Sequence, residues 1–138
     1  MITALDTNVL LDILLPDQEF VQSALHAVEE AAGAGSLVVC DVVYAELCTV
    51  FAEQRECDQF LAENEIRVES LHRAACFLAS RTWRVYRQQG GKRSRILPDF
   101  LIGAHAQVQT SRLLSRDRGF YGKLFPSLSV VDPTFHGR

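Results

Sequence analysis

Four carboxylates occupy positions from which a folded chain could bring them together: Asp6, Glu46, Asp99 and Asp117. Asp6 ends a short apolar run, and Asp117 follows another at residues 113–114. Four carboxylates in one cleft repel each other strongly unless cations separate them, and hard divalent cations take oxygen ligands. Since the set holds neither Cys nor His, the residue types favour magnesium or manganese over zinc.

The first element that must position these acids lies at the start of the sequence. An apolar run ends in Asp6-Thr7-Asn8, and apolar residues then resume with helical spacing at residues 9–14. The change of period predicts a buried strand, a tight turn and a helix. Asp6 would then lie at the carboxyl end of a strand, where open α/β sheets build their ligand sites. It could equally be a plain cap of the following helix.

The remaining elements alternate in the same way. Strands are predicted over 36–40, 113–114 and 128–131, and residues 66–68 are predicted to form a short strand or an extended link. Helices are predicted over 17–32, 42–54, 57–64, 70–89, from 97 and over 120–125. This order predicts an α/β fold with a mostly parallel central sheet flanked by helices. Asp6 and Asp117 would follow strands, Asp99 would lie in the first turn of a helix and Glu46 in the second turn of another. All four could therefore meet at one edge of the sheet.

Composition places the chain among ordinary globular proteins. With 138 residues, 48% hydrophobic and 22% charged, it is expected to form one domain over residues 1–138. The start of the chain is apolar but has no basic segment, which disfavours a signal peptide, and no apolar run approaches the ~20 residues that cross a bilayer. The four cysteines form no CxxC pair, so buried thiols in a cytoplasmic protein are expected.

Charge is distributed unevenly along the chain. Residues 1–65 carry 13 acidic side chains and one basic, and residues 66–138 carry 4 acidic and 13 basic, so −12 and +9 give the net −3. The basic part includes six closely spaced cations: Arg81, Arg84, Arg87, Lys92, Arg93 and Arg95. They suit a phosphate-bearing partner such as RNA, or form the solvated face of a helix and a polar loop.

Four motifs in order and register carry a family resemblance: Leu5-Asp6-Thr7-Asn8, Ala45-Glu46-Leu47, Pro98-Asp99-Phe100-Leu101-Ile102-Gly103-Ala104-His105-Ala106 and Leu114-Ser115-Arg116-Asp117-Arg118-Gly119-Phe120. The chain resembles PIN domains from end to end, and a PIN domain with nothing attached is similar to the VapC toxins. The resemblance implies a magnesium-dependent endoribonuclease whose catalytic and metal-binding residues are Asp6, Glu46, Asp99 and Asp117. It also implies a homodimer and a VapB-type antitoxin.

The implied chemistry assigns a part to each group. One ion held by Asp6, Asp99 and Asp117 would activate water for attack on phosphorus, and a second ion nearer Glu46 would stabilise the leaving 3′ oxygen. The products would carry 5′-phosphate and 3′-hydroxyl ends. Three side chains are candidates to orient water or phosphate: Thr7, Asn8 and Ser115.

The sequence departs from the PIN pattern at two positions, and one alternative function stays open. Ser115 replaces the more usual Thr and keeps the hydroxyl, and His105 replaces a small residue and is interpreted as packing or surface. The rival is a PIN-like RNA-binding or protein-interaction module without turnover. An aspartyl-phosphate phosphatase is disfavoured because Asp6-Thr7-Asn8 lacks a second Asp.

Overall fold

The computed structural model describes residues 1–93 and 95–135. Within them the chain forms five strands, β1 (Ile2–Leu5), β2 (Ser36–Cys40), β3 (Ile66–Glu69), β4 (Arg112–Leu114) and β5 (Val130–Val131). The same residues form seven helices, α1 (Thr7–Leu14), α2 (Val21–Ala34), α3 (Asp41–Cys48), α4 (Gln54–Glu63), α5 (Arg73–Gln88), α6 (Leu97–Gln109) and α7 (Arg118–Leu124). The alternation confirms the predicted α/β fold.

The five strands form one sheet in the order β3-β2-β1-β4-β5, and every neighbouring pair is parallel. Strand β1 lies in the centre, with β2 on one side and β4 on the other. The chain builds outward from β1 through β2 to β3 and then returns to the opposite side for β4. This reversal opens a crevice beyond the carboxyl ends of β1 and β4, the position where open α/β sheets bind ligands.

Strand β2 is apolar because helices cover both faces of the sheet. Val38 and Val39 are fully buried side by side in β2, as expected when both faces of a parallel sheet are covered. Helix α5 packs along α6, and the α6 residue Phe100 is fully buried. Its ring meets those of Tyr86 and Phe120 at centroid distances of 5.3 and 5.4 Å. This aromatic packing supports the loop that leads into α6.

Several predicted helix boundaries were wrong. The helix predicted over 42–54 ends at Cys48, because Thr49 turns its hydroxyl back to the Glu46 carbonyl at 2.6 Å and the chain restarts as α4 at Gln54. The helix predicted from Asp17 begins at Val21, because the Asp17 carboxylate accepts the Glu19 N–H at 2.9 Å and forms a turn. Such side-chain bonds to backbone compete with helix formation.

The cysteines only partly match the prediction. Cys40 and Cys57 are buried and Cys48 is half-buried, but Cys76 is exposed on α5, so buried thiols were wrong for that residue. All four thiols are free. Among the described helices, none combines the length and apolar character needed to span a membrane.

Candidate active site

Asp6 and Ser115 face each other across the crevice between β1 and β4. Leu5 is in register with Leu114, so the next residues of the two strands emerge side by side. The Asp6 N–H donates to the Leu114 carbonyl at 3.0 Å, and the Ser115 hydroxyl donates to Asp6 Oδ2 at 2.7 Å. Strand register thus positions the first predicted acid.

The Asp6 carboxylate is buried, with 6% of the residue exposed. Its Oδ1 accepts the Thr7 N–H at 2.8 Å, so Asp6 is the N-cap of α1 as well as a site residue. Burial raises the pKa of Asp6, while bonds from Ser115 and Thr7 lower it and the charge of Glu46 raises it. Because burial dominates, a cation placed beside this carboxylate would stabilise its charged form.

Ser115 joins two of the predicted acids. Its buried hydroxyl also accepts the Asp117 N–H at 2.9 Å and the Asn8 amide at 3.4 Å. The Asn8 amide oxygen accepts the Arg116 N–H at 3.2 Å, which ties α1 to the loop after β4. Ser115 and Asn8 therefore hold carboxylates and loop in place, and their direct action on water or phosphate stays a prediction.

Glu46 reaches the same place from α3. Its side chain is exposed, and its Oε1 accepts the Thr7 hydroxyl at 2.5 Å. Since Thr7 directly follows Asp6, this bond sets Glu46 beside the first acid, and its charge acts on the pKa of Asp6. In the sequence Glu46 stands beside an apolar stripe and has no evident local partner. The hydrogen bond from Thr7 supplies that partner.

The buried Tyr121 hydroxyl lies within electrostatic range of three of the acids. Burial first, and then the charges of Asp6, Asp99 and Asp117, raise the pKa of its hydroxyl. Asp99 lies in the first turn of α6, where its Oδ2 also accepts the Ile96 N–H at 3.2 Å. Tyr121 was not predicted from the sequence. The feature that could have indicated it is a hydroxyl-bearing residue within the apolar turn that follows Asp117.

Arg95 holds the fourth acid. Its Nη1 and Nη2 donate to the two carboxylate oxygens of Asp117 at 2.6 and 3.2 Å. The Arg95 guanidinium also lies over the Phe120 ring, 4.2 Å from its centroid. The hydrogen bond that Arg95 donates to Asp117, and more weakly the charge of Asp99, raise the pKa of Arg95. Arg95 was predicted to contact the RNA backbone; the structure pairs it with Asp117, and its contact with RNA stays a prediction.

The other five predicted cations are exposed: Arg81, Arg84, Arg87, Lys92 and Arg93. On α5 the Arg81 guanidinium lies 4.8 Å from the centroid of the Phe77 ring, and that of Arg87 lies 5.5 Å from Trp83. Their heads remain in solvent, as a surface that binds phosphates requires. Arg95 is thus separated from this exposed group.

The donor set suits a hard divalent cation. All four groups are carboxylates, burial opposes the charge on Asp6, and Asp117 is already bound to a positive side chain. Within residues 1–93 and 95–135, no three acidic, His or Cys side chains approach closely enough to hold a metal ion together. The carboxylates therefore match a hard divalent cation in donor type, and Arg95 engages one of them in this structure.

A family model described as PIN domain matches residues 3–123. The chain belongs to the PIN domain family. Similar folds occur in VapBC2 from Rickettsia felis bound to a promoter DNA fragment, with 19% identity and a TM-score of 0.73 over 96% of this chain and 98% of that one. VapBC-1 from nontypeable Haemophilus influenzae is similar at 18% identity and a TM-score of 0.72, over 98% and 100% of the two chains.

A third similar structure is FitAB bound to an IR36 DNA fragment, with 19% identity and a TM-score of 0.69 over 100% of this chain and 99% of that one. The search of curated proteins gives no match. At these identities the structural likeness establishes the PIN fold, and the activity has to be argued from the site.

In this PIN domain a second ion pair, absent from the sequence-based predictions, fixes the loop after β4. Arg116 Nε donates to Asp12 Oδ2 at 2.6 Å, and Nη2 donates to Oδ1 at 3.2 Å. Asp12 is buried, and the guanidinium stacks 4.0 Å from the centroid of the Phe20 ring. The available signal was an acid inside an apolar helix, Asp12, whose buried charge needs a partner.

His105 lies in the core of this PIN domain. Its residue is 1% exposed, and Nε2 is 2.9 Å from Glu69 Oε1 at the end of β3. Of the two interpretations of His105, packing or surface, its burial favours packing, and the pairing satisfies its buried ring nitrogen.

Proposed function

We propose that this PIN domain is a metal-dependent endoribonuclease and the toxin component of a VapBC-type toxin–antitoxin pair. The observation that carries the proposal is the double engagement of Ser115, which joins Asp6 and the Asp117 backbone at the topological switch point. Asp99 shares the surroundings of Tyr121 with these two acids, and Glu46 lies beside Asp6 through Thr7. These contacts support a site in which four acids from four parts of the chain act together at one sheet edge.

Asp6, Asp99 and Asp117 would hold Mg²⁺, or Mn²⁺ in its place, with Glu46 available on the Thr7 side. The bound ion would supply positive charge that lowers the pKa of a nucleophilic water and stabilises the leaving 3′ oxygen. Ser115, Asn8 and Thr7 hold the carboxylates before substrate arrives, so little reorganisation is needed during the reaction. Hydrolysis in this arrangement leaves 5′-phosphate and 3′-hydroxyl ends.

The exposed cations of α5 would bind the RNA backbone. Arg81 lines a cavity of about 300 Å³ together with Lys123 of α7, so the basic surface continues beyond α5 toward the helix that follows Asp117. Phosphate contacts of this kind supply affinity and orientation without choosing a base sequence. The target RNA would then be selected by its shape at the crevice.

The proposed partner is a VapB-type antitoxin, since the similar structures include VapBC complexes. A groove of about 600 Å³ between α2 and α4 offers an apolar floor for a segment of that partner, lined among others by Leu10, Ile13, Leu25, Leu37, Phe60 and Ile66. Leu25 is 43% exposed there, as expected for a residue that a partner would cover. The proposal also includes a homodimer in the cytoplasm.

The decisive experiment is induced expression in a bacterial host, followed by growth and by mapping of RNA 5′-monophosphate ends. Wild type is compared with Asp6→Asn and with Glu65→Gln, an exposed acid that precedes β3 and so lies at the opposite edge of the sheet. We expect growth arrest and new discrete ends for wild type and Glu65→Gln, and neither for soluble Asp6→Asn. Equal cleavage by Asp6→Asn would overturn the site assignment.

The rival function is a PIN-like RNA-binding or protein-interaction module without turnover. Growth arrest without new RNA ends would favour it, because binding alone would then explain the toxicity. The presence of all four carboxylates favours the nuclease.

A further inference from the structure

Arg95 differs from the other predicted RNA-binding cations in where its charge is placed. Its side chain is 34% exposed and that of Asp117 is 31% exposed, so the pair is partly shielded from solvent. Both carboxylate oxygens of Asp117 accept hydrogen bonds from the guanidinium fork. A metal ion could not take the same oxygens without displacing this fork.

Arg95 also makes a contact that does not involve Asp117. The guanidinium lies 4.2 Å from the centroid of the Phe120 ring, and Phe120 packs edge-on against the buried Phe100 ring at 5.4 Å. Stacking of Arg on an aromatic face is favourable and holds the planar fork in one orientation. Arg95 can therefore stay at the crevice after its bonds to Asp117 are broken.

We propose that Arg95 is the resident counter-ion of Asp117, which a divalent cation displaces, and that the released guanidinium then binds the phosphodiester to be cut. This inference rests on the proposed nuclease function and deepens it. Before metal binds, Arg95 neutralises one of the acids that would otherwise repel each other. After displacement, the guanidinium lies next to the acids and offers two parallel N–H donors, a geometry that matches phosphate oxygens.

The proposal predicts opposite effects of one substitution on metal and on RNA. Arg95→Gln removes the competing charge, so the Kd for Mn²⁺ measured without RNA should fall about tenfold, equivalent to about 1.4 kcal/mol. At saturating Mn²⁺ the same variant should lose about 10- to 100-fold in kcat/KM for RNA, because a charged donor to the phosphate is gone. A purely structural role would weaken both properties together.

Two further variants sharpen the comparison. Arg93→Gln removes an exposed cation two residues earlier in the same loop and should leave the Mn²⁺ affinity unchanged. Arg95→Lys keeps the charge but loses the fork and the flat stacking surface, so its Mn²⁺ affinity should lie between those of wild type and Arg95→Gln. Thermal unfolding in chelator shows that each variant is folded before it is compared.

The measurement is Mn²⁺ binding to the purified full chain by calorimetry, followed by cleavage of an RNA identified from the mapped ends. Tighter Mn²⁺ binding with slower cleavage supports the proposal. Unchanged or weaker Mn²⁺ binding by Arg95→Gln, in a wild type that binds Mn²⁺ and cuts RNA, overturns this inference and leaves the nuclease function standing. Tighter binding with undiminished cleavage overturns the phosphate contact. Absence of Mn²⁺ binding in every variant overturns both this inference and the metal-dependent function.

Discussion

The Ser115 hydroxyl donates to Asp6 Oδ2 at 2.7 Å and accepts the Asp117 N–H at 2.9 Å, so a single oxygen connects the ends of two neighbouring strands. Ser115→Ala should lower the free energy of unfolding by about 1–3 kcal/mol, because a part-buried N–H and a buried carboxylate oxygen lose their partner. Urea unfolding measures the loss. Ser127→Ala, at an exposed turn, is the control and should change stability by less than about 0.5 kcal/mol.

The same substitution should slow RNA cleavage more than it weakens RNA binding, since Ser115 positions the acids and not the backbone contacts. A variant as stable and as active as wild type would show that the strand ends hold Asp6 and Asp117 without this hydroxyl.

The pKa of Asp6 predicts how metal-free stability depends on pH. Burial raises this pKa above its ordinary value near 3.8, so the folded state binds the proton more tightly than the unfolded chain does. The contribution of Asp6 is therefore fully present below about pH 4 and is lost as pH rises through the folded pKa. In chelator, the melting temperature of wild type should fall relative to Asp6→Asn as pH rises from about 4 toward neutrality.

Mg²⁺ should reverse that trend in wild type and leave Asp6→Asn unaffected, because a bound cation stabilises the ionised carboxylate. Parallel pH profiles of the two proteins in chelator would contradict the raised pKa.

The fold, and the positions of Asp6 and Asp117 just after strands, were predictable because both depend on local patterns. The apolar run that ends at Asp6 and the run that ends before Ser115 each identify a strand, and parallel strands bring their carboxyl ends to one edge. The change from strand to helix spacing at Thr7 predicted the turn between the first strand and the first helix. These signals need no knowledge of long-range contacts, which explains why the α/β architecture was confirmed.

The partners of the charged side chains were not predictable, because they are set by contacts between distant parts of the chain. Arg95 pairs with Asp117 across 22 positions, and Arg116 pairs with Asp12 across 104. The sequence offered Arg95 as one of six similar cations and gave no reason to separate it from Arg93. Tyr121 was not predicted to lie at the site for the same reason, since in the sequence it is one hydroxyl within an apolar turn.

The Asp12–Arg116 pair should be the most sensitive ion pair to single substitution. Arg116→Gln leaves Asp12, whose side chain is 7% exposed, without its counter-ion. An unpaired buried carboxylate costs about 3–5 kcal/mol, and we expect the lower end because Arg116 itself is 29% exposed. Chemical denaturation should show this loss, and the double variant Asp12→Asn/Arg116→Gln should recover part of it.

Arg55→Gln is the matched control, since the Arg55–Glu53 pair has the same 2.6 Å separation but lies in solvent. Its effect should stay within about 0.5 kcal/mol. Equal losses at Arg116 and Arg55 would mean that water reaches Asp12 in solution.

Reversal of charge on α5 should test the proposed RNA surface. Arg84→Glu combined with Arg87→Glu should weaken RNA binding by at least about tenfold and make the affinity less dependent on salt concentration, because fewer counterions are released. Filter binding across a salt series, with Asp6→Asn in the background to prevent cleavage, measures both effects. The control is Arg55→Glu, which reverses an exposed arginine on α4. If Arg84→Glu/Arg87→Glu binds RNA as tightly as the control, the arginines of α5 form only a solvated helix face.

Gly103 allows α6 to pack against Phe125, the residue that follows the end of α7. A Cβ at this position would lie 2.5 Å from the Phe125 ring, and Phe125 is buried, so Gly103→Ala forces the ring or the helix to move. Overpacking of this kind costs about 1–3 kcal/mol and outweighs the gain of up to about 1 kcal/mol in helix propensity. Gly122→Ala, in α7 with no atom within 4 Å of the added Cβ, should instead stabilise the protein by about 0.5–1 kcal/mol.

Urea unfolding should show a loss of stability for Gly103→Ala and a gain for Gly122→Ala if Gly103 and Phe125 pack as closely in solution. The double variant Gly103→Ala/Phe125→Leu should regain stability relative to Gly103→Ala alone, since the smaller side chain makes room for the methyl group. Because Asp99 lies one turn before Gly103 on α6, the overpacked variant should also cleave RNA more slowly, and the double variant should recover part of that rate. Stability of Gly103→Ala equal to that of wild type would mean that Phe125 turns aside freely and that the helix carrying Asp99 is not held by this contact.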